Sequence, residues 1–71
     1  MKKYVTNDMS IAAYLLMKGK VISKAENGRP YVFEFEDPDG DCEKIALSFL
    51  VSDYAKYDSY LRMLRQMLRT A

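Results

Sequence analysis

A length of 71 residues is about half that of a typical domain, so one domain, 1–71, is the largest unit that this chain forms. Hydrophobic residues, tyrosine included, make up 49% of it, which is more than so small a fold can bury, and we expect a hydrophobic surface that binds a partner. The formal net charge of +1 excludes a strongly basic or strongly acidic protein.

The lack of histidine and the scarcity of cysteine limit the classes of function that are open to this chain. The chain has no histidine, the usual general base near neutral pH, and a single cysteine, Cys42. A zinc site of the Cys/His type and an internal disulfide are therefore excluded within one chain, and a cytoplasmic location is expected. The apolar run 11–17 is too short to cross a membrane. We expect no enzymatic activity, no metal and no cofactor.

The first elements are a short strand and a helix. Residues 4–6 favour a β-strand, and Thr6, Asn7 and Asp8 can accept hydrogen bonds from the free amides of a helix start. The spacing predicts a helix over 9–18 that ends at Gly19. Its predicted stripe toward the core contains Met9, Ala12, Ala13 and Leu16.

A β-hairpin is predicted next, with strands 20–26 and 31–36 and Asn27-Gly28 as a two-residue turn. This register places Ile22 opposite Phe33. One face then carries Ile22, Tyr31, Phe33 and Phe35, and the other carries Val21, Ser23, Ala25, Val32, Glu34 and Glu36. We expect the first helix to cover the aromatic face.

Segment 42–50 follows an acidic turn at 37–41 and fits two structures. As a helix it places Cys42, Ile45, Ala46, Phe49 and Leu50 on one side; as a strand it adds a third member to a meander. We favour the helix because alanine, leucine, glutamate and lysine dominate the segment. The predicted fold class is α+β, in the order strand, helix, hairpin, helix, helix.

The last helix is predicted over 59–70, with Asp58 as its N-cap and 51–57 as the connection before it. One side of this helix is apolar and the opposite side is basic. The apolar side, which we expect to be buried, contains Tyr60, Leu61, Leu64, Met67, Leu68 and Ala71.

Short patterns spread over the chain resemble a small uncharacterised family. They are Tyr4-x-Thr6-x-Asp8, Ala12-Ala13-Tyr14-Leu15, Gly19, Val32-Phe33-x-Phe35 and Asp58-x-Tyr60-Leu61-x-x-Leu64-Arg65. Its members are single-domain proteins of bacteriophages, prophages and bacteria that carry a domain of unknown function. The resemblance implies an accessory protein of a phage or another mobile element, in the host cytoplasm, with the order helix, hairpin, helix, helix. It brings no catalytic residue to this chain.

Charge is distributed in three blocks of opposite sign. Residues 1–33 carry +4, residues 34–43 carry −6 and residues 44–71 carry +3. The acidic block does not match a calcium-binding loop, because Gly40 precedes Asp41 and Ser48 stands where a closing glutamate is required. We interpret it as a solvated turn, with docking of a basic partner surface as the alternative.

The basic side of the last helix is a candidate for nucleic-acid binding. Arg62, Arg65 and Arg69 share one helical face, and Lys56 extends it in this interpretation. The simpler interpretation is the solvated face of an amphipathic helix, which we prefer. A helix-turn-helix is disfavoured because 51–57 is longer than the turn of that motif.

A cluster of tyrosines and methionines is the candidate protein-binding surface. Core packing with the hydroxyl at the rim is the interpretation that we prefer for the tyrosines taken alone, and core packing explains the methionines equally well. Cys42 is interpreted as structural, because the acids around it oppose thiolate formation. We expect a protein that acts by stoichiometric binding to another protein, most simply as a homo-oligomer. The candidate residues are Tyr54, Tyr57, Tyr60, Met63 and Met67.

Overall fold

A computed structural model describes residues 2–70. Its elements, in chain order, are strand β1 (Lys3–Thr6), helix α1 (Met9–Met17), strands β2 (Ile22–Glu26) and β3 (Val32–Glu36), and helices α2 (Cys42–Phe49) and α3 (Asp53–Thr70). The predicted α+β class and element order are confirmed. Segment 42–49 is a helix, so the alternative of a third meander strand is wrong.

The three strands form one antiparallel sheet in the order β1-β3-β2. Phe35, in the central strand, lies between Tyr4 on one side and Ile22 on the other. Lys3 and Lys24 stand opposite Glu36 and Glu34 on the other face of the sheet, which is typical of a solvated face. The sheet therefore buries one face only.

The predicted hairpin register is wrong. Ala25 pairs with Phe33 and Glu26 with Val32, so the loop is 27–31 and not the two-residue turn. Neither Asn27 nor Gly28 has the positive φ that such a turn requires. Because Ala25 pairs directly with Phe33, it lies on the same face as Phe33 and not on the opposite one. A bulge between Ile22 and Lys24 then shifts the register once more and places Ile22 opposite Phe35.

Helix α1 begins and ends where the sequence predicts. The Asp8 carboxylate accepts a hydrogen bond from the Ile11 amide at 3.1 Å, and Gly19 has a φ of +87° after the last turn. The predicted core stripe is confirmed only at Ala12, since Met9, Ala13 and Leu16 are exposed. Tyr14 and Leu15 are buried in their place. The helix is apolar around most of its circumference, so its packing against the sheet and α2 selects the buried side.

The core lies between α1, α2 and the sheet. Leu15, Phe35 and Cys42 are its fully buried side chains, which confirms that α1 covers the aromatic face. Surrounding them are Ala12, Tyr4, Ile11, Phe33 and Ile45. This cluster contains no residue of α3.

Helix α3 starts earlier than predicted. It begins at Asp53, after Leu50, Val51 and Ser52, because the Ser52 hydroxyl accepts a hydrogen bond from the Ala55 amide at 3.3 Å and so caps the helix. Asp58 is consequently not an N-cap but lies inside the helix. The extra turns bring Tyr54 and Tyr57 onto the same helix as the other candidate residues.

Candidate functional site

Helix α3 is attached to the rest of the protein by the polar side of its first half. The Ser10 hydroxyl of α1 donates a hydrogen bond of 2.8 Å to Asp58, and Arg62 forms an ion pair of 3.0 Å with the same carboxylate. The Tyr14 and Tyr54 rings also meet, with centroids 5.8 Å apart. These contacts fix which side of the helix faces the body.

The apolar side of α3 is exposed, which corrects the prediction that it is buried. Only Leu61 of the predicted stripe is half-buried; Leu68 is 78% exposed, and Ala71 lies outside the described residues. The amphipathic pattern was identified correctly, but the helix turns its polar side inward because Asp58 bonds to Ser10. We call the exposed set the α3 apolar face: Tyr57, Tyr60, Met63, Leu64, Met67 and Leu68.

Four of the five predicted protein-binding residues lie together on this face, with Tyr57 the most exposed of them at 69%. Tyr54 is different, because its ring packs against Tyr14 at the base of the helix. Sequence reasoning missed Leu64 and Leu68, which it assigned to the core. Helical periodicity places them beside Tyr57 and Tyr60 but cannot tell a core stripe from an interface stripe.

The surface area of the protein supports the presence of an interface. The accessible surface is 5589 Å². A folded monomer of this mass is expected to expose about 4,500 Å². The radius of gyration, 13.8 Å, likewise exceeds the value of about 11 Å expected for a compact chain of this length. The excess surface, about 1,000 Å², is similar to what one partner buries in a standard protein interface.

A small apolar pocket adjoins the α3 apolar face at its N-terminal end. It lies between α1 and α3, has a volume of about 170 Å³, and we call it the α1–α3 pocket. Tyr57 belongs to both the pocket and the face, so the two form one continuous surface. The pocket is lined by Ala13, Tyr14, Met17, Phe49, Tyr54 and Tyr57, with Ser10 and Asp58 at its polar rim.

The predicted nucleic-acid residues are all exposed but do not form one stripe. Arg62, Arg65 and Arg69 lie on one side of α3. Lys56 precedes Arg65 by about two and a half helical turns and so lies on the opposite side. The prediction that Lys56 extends the stripe is therefore wrong.

The connection between α2 and α3 is shorter than the sequence suggested. Only Leu50, Val51 and Ser52 lie between the two helices, which removes the objection to a helix-turn-helix. The charge pattern argues against that motif in its usual form. A recognition helix presents its N-terminal residues to the bases, whereas α3 begins with Asp53 and carries its arginines in its second half.

The acidic turn places Asp37, Asp41 and Cys42 together, with donor atoms within 4.8 Å of one another. Its hydrogen bonds explain this arrangement. Asp37 accepts from the Cys42 amide at 3.1 Å, and Asp41 pairs with Lys20. Burial and the neighbouring Asp37 raise the pKa of the Cys42 thiol to about 11, so the sulfur stays protonated. We interpret the cluster as the structural start of α2.

A groove of about 610 Å³ lies between α3 and the start of α1. Asp8 caps α1, and Asp58 binds Ser10 and Arg62, whereas Arg65 is exposed on the wall of the groove. Every buried side-chain nitrogen or oxygen among the described residues has a hydrogen-bond partner. Among the described residues, the groove thus has no buried, unpartnered polar group that would orient a substrate.

Comparison with known proteins identifies one family, described as a domain of unknown function, DUF5659, which matches residues 1–70. The chain belongs to this family. Neither the curated proteins nor the solved structures contain a match. Membership of DUF5659 covers nearly the whole chain, but it assigns no activity, so the function has to be inferred from the exposed surface.

Among the helices of residues 2–70, none is long and apolar enough to cross a membrane.

Proposed function

We propose that this DUF5659 protein acts by stoichiometric protein binding, and that the α3 apolar face is the surface through which it binds a second copy of itself. One observation carries the proposal. The helix is attached to the body through its polar side, at Ser10 and Asp58, while leucines and tyrosines on its other side face solvent. An amphipathic helix with this orientation gains stability only when another apolar surface covers it.

Association of two copies buries the apolar side chains of α3 that a single copy leaves exposed. Complete burial of one leucine stabilises by about 1.5–3 kcal/mol, and each copy contributes Leu64 and Leu68 together with two large tyrosine rings, Tyr57 and Tyr60. These are residue types that dominate the energetics of protein interfaces, tyrosine above all. A symmetric dimer covers both copies of the face at once, because the same patch serves both partners.

The proposed role is that of a non-enzymatic accessory protein of a phage or another mobile element, working in the cytoplasm of its host. The setting rests on the resemblance of the sequence patterns alone. The non-enzymatic character is supported by the lack of histidine and by the pairing of Asp58 with Arg62 in the groove between α3 and α1.

Light scattering on matched variants tests the binding surface. We expect the wild-type protein to be dimeric and the double variant Leu64→Ser, Leu68→Ser to be monomeric with unchanged helix content. Leu47→Ser is the control, because Leu47 is 60% exposed on α2 and lies outside the α3 apolar face. A wild-type protein that is monomeric at high concentration contradicts the proposal, and so does a double variant that dimerises as well as the control.

A second candidate, binding of nucleic-acid phosphates, is favoured by the exposure of Arg62, Arg65 and Arg69 on one side of α3. Such binding is weak and salt-sensitive, because few charges are neutralised. Gel retardation of DNA and RNA at low salt tests it. Retardation that disappears when all three arginines become alanine supports it; the lack of retardation, or retardation that survives the substitutions, excludes it.

A further inference from the structure

We infer that the two α3 helices of the dimer run antiparallel, and that Leu68 of each copy enters the α1–α3 pocket of the other. This inference rests on the proposed dimer and specifies its geometry. It adds a binding site, the α1–α3 pocket, and names its occupant, a leucine side chain of the second copy.

The charges of α3 favour the antiparallel orientation. The first half carries Asp53, Lys56 and Asp58, for a net charge of −1, and the second half carries Arg62, Arg65 and Arg69, for +3. A parallel pair places the two +3 halves side by side, whereas an antiparallel pair places each beside a −1 half. The helix dipoles favour the same choice, since opposite ends then adjoin.

The extent of the α3 apolar face sets the register. The face runs from Tyr57 to Leu68, and an antiparallel pair covers all of it only when the first residue of one face lies beside the last residue of the other. Leu68 of the second copy therefore lies beside Tyr57. Leu64 lies near the middle of the pair, where the two helices cross the symmetry axis.

The α1–α3 pocket lies where this register places the second copy's Leu68. Tyr57 forms part of the pocket wall, together with Met17 of α1 and Tyr54 of α3. Met17 is itself exposed at the mouth, so its flexible side chain can adjust around an incoming leucine. Leu68 is the most exposed member of the α3 apolar face, which suits an anchor that projects into a partner.

Distance measurement between spin labels tests the orientation. Lys56→Cys carries the label, because Lys56 is exposed and lies opposite Arg65, on the side of α3 that carries the apolar face. The buried Cys42 thiol with its raised pKa stays unlabelled. In the antiparallel pair residue 69 lies beside residue 56, so at about 1.5 Å per residue the two labels lie about 20 Å apart along the axis. In a parallel pair the helices are only about 10 Å apart and the labels adjoin. A short label distance in a dimeric protein overturns the inference but leaves the dimer intact.

A double-mutant cycle tests the pocket. Leu68→Ala and Met17→Ala are each expected to raise the dimer dissociation constant about tenfold or more. Together they are expected to raise it by clearly less than the product of the two effects, because both remove the same contact. Leu68→Ala combined with Leu47→Ala, the control pair, is expected to give the simple product. Independent effects of Leu68 and Met17 in a stable dimer overturn the pocket assignment, whereas a monomeric wild type overturns the proposed function itself.

Discussion

The Ser10 hydroxyl donates a hydrogen bond of 2.8 Å to the Asp58 carboxylate and so joins the first turn of α1 to the middle of α3. This bond lies on the polar side of α3. It therefore holds the helix with its apolar side turned away from the body, and the arrangement of the whole candidate interface follows from it.

Removal of this bond is expected to lower stability modestly. Ser10→Ala should reduce the free energy of unfolding by about 1 kcal/mol, the net value of a hydrogen bond of this kind. Ser59→Ala is the matched control, because Ser59 is exposed in α3 and the change in helix propensity is the same. Denaturant titration measures the free energy of unfolding of both variants. Equal values for Ser10→Ala and Ser59→Ala would contradict the stabilising role given to Ser10.

The end of α1 depends on a left-handed residue. Gly19 has a φ of +87°, and no atom lies within 4 Å of the position that a Cβ would take there, so any cost of Gly19→Ala comes from the backbone. We expect Gly19→Ala to cost about 1–2 kcal/mol and Gly19→Asn to cost less, because asparagine tolerates this conformation better. Thermal or denaturant unfolding measures the stability of both variants and so checks that Gly19→Ala is the less stable one. An alanine variant as stable as the wild type would show that the left-handed conformation is not required.

Acid is expected to destabilise the turn before α2. Burial alone would raise the pKa of Asp37, which is 7% exposed, but hydrogen bonds from the Cys42 amide and thiol and from the Asp41 amide hold the pKa below 3.8. As the pH falls, the Asp37 carboxylate is therefore protonated in the unfolded state before it is protonated in the folded state. The stability that Asp37 contributes is present above pH 3.8 and is lost as the pH falls through the lowered pKa of the folded state.

Unfolding of Asp37→Asn as a function of pH checks this relation. The variant should be less stable than the wild type near neutral pH, and the difference should shrink as the pH is lowered below 3.8. Asp39→Asn, an exposed neighbour in the same turn, should keep the wild-type pH dependence. If the difference in the free energy of unfolding between wild type and Asp37→Asn stays constant down to low pH, the stabilising role given to the Asp37 carboxylate is contradicted.

The Cys42 thiol is expected to be unreactive in the native protein. Its side chain is fully buried and its pKa is about 11, so both access and thiolate formation are prevented at pH 8. A thiol reagent should label it only after global unfolding, at a rate that rises with denaturant. Rapid labelling without denaturant would show that α2 opens locally.

Local signals predicted much of the fold, and long-range contacts decided the rest. The Asp8 cap and the Gly19 terminus are set by neighbours in sequence, so both were predictable. The hairpin register was not, because Asn27-Gly28 favours a two-residue turn, yet neither residue has the positive φ that this turn requires and the loop is 27–31. The start of α3 was misplaced because Asp58 resembles a cap, although Ser52 performs that role.

The candidate site was predictable in composition but not in orientation. The tyrosines and methionines of α3 were identified as a binding surface, whereas Leu64 and Leu68 were assigned to the core. Periodicity reveals that a helix has an apolar side. Which side faces the body depends on the contact between Ser10 and Asp58, and no local pattern reveals a contact between two helices.

Sedimentation equilibrium of the wild-type protein over a wide range of concentrations tests the central claim most directly. If the α3 apolar face binds a second copy, the mass rises with concentration from 8.2 kDa to twice that value and then stays constant, as for a closed two-fold dimer. A mass of 8.2 kDa at every concentration would contradict the account.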